Sequence, residues 1–262
     1  MPRTPALFVS HGSPMIAIED DPWGHALRDF GSRLPRPRAA VVVSGHFEAP
    51  GPVRATASAR PETIHDFGGF PEELYQLRYP APGDPELARR VVELLERAEI
   101  PATLDPSRGL DHGAWVPLRF LFPEADVPVI EVSQPSARSP ESMMKIGAAL
   151  SPLRDEAVII VGTGGVVHNL RRFDPAAGAD GRVAEWASEF ESWFAEKLEA
   201  MDVEALTDYR RRAPHAALAV PTPEHFDPVF AVLGSAGPGE RARTVYEGFR
   251  YGTISMRSFA IR

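Results

Sequence analysis

A chain of 262 residues with 44% hydrophobic and 24% charged residues has the make-up of an ordinary globular protein, and it is long enough for one large hydrophobic core, so a single domain over residues 1–262 is expected. The absence of cysteine excludes disulfides, thiolate nucleophiles and cysteine-held zinc or iron–sulfur centres, which leaves nitrogen and oxygen as the only metal donors. A formal net charge of −8, with no basic block longer than Arg210-Arg211-Arg212, argues against a nucleic-acid partner.

No apolar run approaches the ~18–20 residues needed to cross a bilayer, so no membrane partner is expected. The short apolar run near the N-terminus does not read as a secretory signal, and a cytoplasmic address follows. A homodimer is the base-rate expectation for an oligomeric state.

The first predicted strand is Ala6-Leu7-Phe8-Val9, stopping at Ser10-His11-Gly12-Ser13-Pro14, where glycine and proline force a turn. Trp23 to Phe30 forms a helix. A second strand, Ala39-Ala40-Val41-Val42-Val43, is expected to stop in the same way at Ser44-Gly45-His46. Both strands are continuously apolar, as central strands covered on both faces are. Residues 50–82 show little periodicity and much Pro and Gly, the pattern of a long loop that shapes a site.

Asp84-Pro85-Glu86 opens a helix to about Arg97, with Asp as N-cap and Pro at the first helical position. A third apolar strand spans Val127 to Val132, and Ser139-Pro140-Glu141 starts a helix to about Leu150. Ala157-Val158-Ile159-Ile160-Val161 is a fourth core strand, ending in Gly162-Thr163-Gly164-Gly165 with His168 close behind. Between Gly181 and Met201, Trp186, Phe190, Trp193 and Phe194 recur at helical spacing and read as core packing. Two late strands, Thr244 to Phe249 and Thr253 to Ile261, are placed antiparallel at a sheet edge. The expected class is α/β: a mostly parallel or mixed central sheet with helices on both faces.

In such a sheet ligands sit beyond the carboxyl ends of the strands. His11, His46 and His168 all follow such ends, and His225 lies in the proline-bracketed turn Pro221-Thr222-Pro223-Glu224-His225-Phe226-Asp227-Pro228. One histidine in a loop means little. Several at corresponding strand ends suggest a divalent metal pocket, with His11, His46 and His225 as ligands. His25 and His215 have no such position and read as ordinary surface groups. A further cluster, Asp111-His112-Gly113-Ala114-Trp115, suits a site wall or, alternatively, a helix start capped by Asp111. The glycines after the fourth strand lack G-x-G-x-x-G spacing, and no nucleophile elbow is present, so nucleotide cofactors and serine hydrolysis are not expected.

Taken together, His11-Gly12-Ser13-Pro14, Ser44-Gly45-His46, Leu110 to Leu118, Gly162 to Leu170 and Pro221 to Phe226 resemble the class III extradiol (LigB-like) ring-cleavage dioxygenases, in their DOPA-dioxygenase-like branch. The resemblance spans almost the whole chain. It implies a mononuclear non-haem Fe(II) enzyme that opens a catechol ring, such as that of DOPA, with O2. It maps the metal ligands onto His11, His46 and His225, with Glu224 as the neighbouring carboxylate. It further maps the acid/base onto His168 and a substrate contact onto His112, a hydrogen-bond donor toward charge developing on oxygen. Three imidazoles also suit zinc, so a purified sample can carry it. The rival reading is a zinc-dependent hydrolase using the same histidines, and a non-catalytic binding protein is the third. Loops 50–82 and 105–117, with His65, Phe67, Phe70, Tyr75 and Trp115, are the expected substrate walls.

Overall fold

In the computed structural model, which describes residues 3–174, 177 and 181–262, the four apolar runs form the middle of an eight-stranded mixed sheet. The strands are β1 (Ala6–Ser10), β2 (Ala39–Ala49), β3 (Val53–Thr56), β4 (Ala102–Asp105), β5 (Val129–Pro135), β6 (Val158–Gly164), β7 (Ala242–Tyr246) and β10 (Ser258–Ile261), in the order β4-β3-β5-β2-β6-β1-β10-β7. A separate two-stranded ribbon pairs β8 (Phe249–Arg250) with β9 (Ile254–Ser255). β5, β2, β6 and β1 run parallel.

Alternation along β1 divides the interior in two. Ala6 and Phe8 join one cluster with the helices Pro85–Arg97, Pro140–Leu150, Glu185–Ala200 and Pro228–Gly234. Leu7 and Val9 join the other with Pro22–Arg33 and His112–Leu121. Successive side chains of a strand point to opposite faces, so a strand apolar at every position needs cover on both. The expected helix starts are present: Asp84 accepts from Glu86 N and Leu87 N, and Ser139 forms a capping box with Ser142. Among the described residues no helix is long and apolar enough to cross a membrane.

Four expectations are corrected. β2 does not stop at Val43; it runs to Ala49, with its pairing to β5 shifting register between Val43 and Glu48, so His46 lies within a strand. Gly45 serves close approach there, because a Cβ would sit 3.2 Å from the His225 ring and 3.3 Å from the Glu224 carbonyl oxygen. Segment 50–82 is not structureless: it contains β3, the bridge Thr63–Leu110 and the helix Glu72–Gln76. Segment 105–117 is not a loop throughout: it is helix from His112 onward. Of the late strands, β7 is at the edge but β10 is interior, antiparallel to both β1 and β7.

Behind β2, two fully buried carboxylates face one guanidinium. Arg108 donates to Asp111 Oδ2 at 2.9 Å, Glu131 Oε2 is 3.7 Å from Arg108 Nε, and Glu131 Oε1 accepts from Asp111 N at 2.8 Å. Burial, followed by the charge of Asp111, pushes the Glu131 carboxyl well above its usual range. A carboxyl raised on folding favours the native state below the unfolded pKa and loses that contribution as pH rises toward its folded pKa. Urea unfolding at intervals from pH 5 to 8 is therefore expected to show Glu131→Gln gaining on the parent with rising pH, by at most about 1.4 kcal/mol per unit. Parallel curves would mean that Glu131 is ionised in the folded protein.

Candidate metal centre

β6 lies between β1 and β2, and it ends in small residues. Above that gap the chain after β1 and the far half of β2 meet: His11 N donates to the Gly164 carbonyl at 3.0 Å, and Gly165 N donates to the His225 carbonyl at 2.8 Å. The turn carrying His225 reaches the same place because Gly164 has no side chain; a Cβ there would stand 1.9 Å from the His225 oxygen.

His11, His46 and His225 each offer one ring nitrogen within 4.8 Å of the others. Their Nδ1 atoms are engaged on the outside. His11 Nδ1 donates to the Gly12 carbonyl (3.1 Å) and His225 Nδ1 to Glu224 Oε1 (3.2 Å), and His46 Nδ1 lies 3.3 Å from Asp66 Oδ2. Such contacts orient a metal-binding imidazole and leave Nε2 as the lone-pair atom. His11 Nε2 is buried with no hydrogen-bond partner, and His46 Nε2 and His225 Nε2 stand 3.1 Å apart. Two nitrogens at right angles and ~2.1 Å from one ion are ~3.0 Å apart, so this donor set fits a divalent metal.

A second group, His46, Asp66 and His112, is also close enough to share an ion. Its carboxylate is already committed: Asp66 Oδ1 accepts from both the backbone N and the Nδ1 of His112 at 2.9 Å. Asp66 therefore reads as a bridge that orients two rings. Burial opposes its ionisation, but the hydrogen bonds and charge of His112 outweigh it and hold the carboxyl well below the usual range.

His168 lies outside the convergent set, stacked on His225 with centroids 3.8 Å apart and planes 8° from parallel. Burial, reinforced by neighbouring histidines, lowers His46 and His168 to about 4 and His11 and His225 well below 6.5. All four are neutral near pH 7, the form that binds a metal or accepts a proton. His112 is both the first residue of a helix capped by Asp111 and part of the site, so the two sequence alternatives coexist.

Glu224 is no ligand in this geometry; it bonds His225 Nδ1 and Thr222 Oγ1. His25 pairs with Asp20 and His215 with Glu189, both in the open.

The sequence missed several supports. Asp66 had only its glycine-rich loop as a signal. Gln134, fully buried, donates from Nε2 to the carbonyls of Ser44 (2.9 Å) and Glu224 (2.8 Å), tying the His46 and His225 segments together. Asp111 accepts from Ser44 Oγ at 2.7 Å, and Arg108 also reaches the His46 carbonyl.

The histidines open into a cavity of about 590 Å3. Of the expected walls, Phe67 and Phe70 line it; His65, Tyr75 and Trp115 do not, since Trp115 is fully buried and donates to the Ile64 carbonyl. Met15, Leu170, Phe173, Tyr251 and Ile254 line it unforeseen.

The family model described as the catalytic LigB subunit of aromatic ring-opening dioxygenase matches residues 5–260. The chain belongs to that family. A dioxygenase acting on a small molecule with O2, in a metal-dependent family, accounts for a histidine-rich cavity better than hydrolysis does, and the zinc-hydrolase reading falls away. Among relatives of this dioxygenase, a Beta vulgaris protein named 4,5-DOPA dioxygenase extradiol is 40% identical over 96% of this chain and 94% of its own. A protein of the same name from Escherichia coli (strain K12) is 41% identical over 99% and 95%. The crystal structure of an uncharacterized Escherichia coli K12 protein superposes on the dioxygenase with a TM-score of 0.83 at 36% identity, covering 99% of this chain and all of the other.

Proposed function

We propose that this chain opens the ring of a catechol such as DOPA with O2, using one ferrous ion held by His11, His46 and His225. The observation that carries the reading is the convergence of three imidazoles whose Nδ1 atoms are engaged and whose Nε2 atoms are left facing one another. Three protein donors leave room for the two oxygens of a catechol and for O2. The metal, when bound, would act as a Lewis acid toward the catechol oxygens and would mediate the passage of electrons from the catechol, which is oxidised, to O2.

The chain's own groups handle the protons. His168, neutral at pH 7, takes a phenol proton as the catechol ionises and returns it later. Its stacking on His225 keeps the ring beside the reacting oxygens without spending it on the metal. His112 is steered by Asp66 through Nδ1, which leaves Nε2 to contact the substrate and, when the ring carries both protons, to donate toward charge developing on oxygen. Phe67 packs edge to face against His112 at 5.6 Å and shields that side from water.

Oxygen consumption tests the proposal. Protein loaded anaerobically with Fe(II) is expected to take up O2 stoichiometrically with at least one of DOPA, protocatechuate and catechol, giving a new yellow product. Zinc-loaded protein is expected to take up none. Equal turnover with zinc, or none from fully iron-loaded protein, overturns the assignment.

A further inference from the structure

The cavity segregates its chemistry. The histidines and Asp66 supply its acid and base groups, apart from the phenol of Tyr251, and the rest of the lining is mostly apolar. Phe67 meets Phe70 edge to face at 5.3 Å, and Phe173 meets Tyr251 at 5.0 Å. Leu170 and Phe173 are 65% and 37% exposed, two of three large hydrophobic side chains left in solvent among the described residues. Apolar groups kept open at the lining of a cavity are groups that a ligand covers.

A charged substituent finds no counterpart there. Among the described residues no Lys or Arg lines the cavity, and the seven residues outside that set include neither. Arg250 lies behind Tyr251, its guanidinium held by Asp21 at 2.6 Å and by Glu19. Arg171 and Arg172 are exposed to solvent beside Leu170 and Phe173 and are not part of the lining. Asp66, the one carboxylate in the lining among the described residues, has both oxygens engaged by His46 and His112.

We propose that the preferred catechol carries an uncharged apolar substituent, alkyl or aryl, lying against Phe67, Phe70, Leu170 and Phe173, and that the zwitterionic side chain of DOPA is selected against. The inference rests on the ring-opening reading above and narrows its substrate. Moving an ammonium or carboxylate from water to an apolar wall without a partner is costly, whereas each added methylene gains from the same wall. The cavity exceeds what a bare catechol fills and lies in the ~300–1,000 Å3 range of sites for larger ligands.

The test compares propylcatechol and phenylcatechol with DOPA, dopamine and dihydroxyphenylpropionate. With iron-loaded protein, kcat/KM for the two apolar catechols is expected to exceed that for DOPA by about tenfold or more, mainly through KM. Calorimetric titration of zinc-loaded protein, which reads binding without turnover, is expected to give the same order. Leu170→Arg, at an exposed position, is expected to raise dihydroxyphenylpropionate relative to propylcatechol. DOPA equal to or better than propylcatechol in uptake and binding overturns the inference alone. No uptake with any of the five overturns the ring-opening reading and the inference with it.

Discussion

His46→Ala is expected to lose bound metal and turnover together, whereas His168→Gln keeps the metal and loses ~10²–10⁴-fold in turnover. The two rings differ in what holds them. His46 has its Nδ1 against Asp66 and its Nε2 3.1 Å from His225 Nε2, so removing it deletes one of three donors and leaves Asp66 with a single imidazole partner. His168 touches the set only through its face, stacked on His225. Glutamine there preserves bulk and polarity but cannot carry a proton at neutral pH. Metal content after anaerobic loading, measured beside oxygen uptake on the same samples, separates the two effects, with circular dichroism reporting the fold. Loss of metal from His168→Gln would show that it is a ligand and remove the base from the mechanism.

Gly164→Ala is expected to damage the fold and the metal centre at once. Its Cβ would stand 1.9 Å from the His225 carbonyl oxygen and 2.8 Å from the carbonyl carbon. Those are backbone atoms of a turn bracketed by Pro221, Pro223 and Pro228, and they have little freedom to yield. Overpacking a well-filled interior costs ~1–3 kcal/mol, occasionally more, and here the displaced turn also strains the bond from Gly165 N to the His225 carbonyl. A fall of about 5 °C or more in the unfolding midpoint is expected, with weaker metal retention. Gly68→Ala, in a cavity wall where an added Cβ meets nothing within 4 Å, is the control and leaves both unchanged. If Gly164→Ala matched that control, the turn would be more compliant than its packing indicates.

Local patterns made much of the frame legible. The runs Ala6–Val9, Ala39–Val43 and Val158–Val161 are apolar at every position, and Val129–Val132 at every position but Glu131, because β1, β2, β5 and β6 are covered on both faces. Asp84 and Ser139 announced their helices because capping is a matter of adjacent residues. The strands β3 and β4 left no such mark. They have four residues each, and Arg54, Leu104 and Asp105 are not buried, so neither apolar runs nor strict alternation could reveal them. Gly45 was misleading for a different reason: it reads as a turn residue, yet it keeps a strand slim where another backbone passes.

Composition and neighbours along the chain were enough for an α/β sheet, for a donor set limited to nitrogen and oxygen, and for His11 just past the end of its strand, but not for His46, which lies within β2. Only the tertiary structure decided which ring atoms face one another, that Asp66 and Gln134 hold them, and that Leu170, Phe173 and Tyr251 complete the cavity in place of His65, Tyr75 and Trp115. Those contacts join segments far apart in the chain: Gln134 reaches both Ser44 and Glu224, each 90 residues away. Their existence depends on strand order and on the clearance left by Gly45 and Gly164, and neither is encoded in local periodicity.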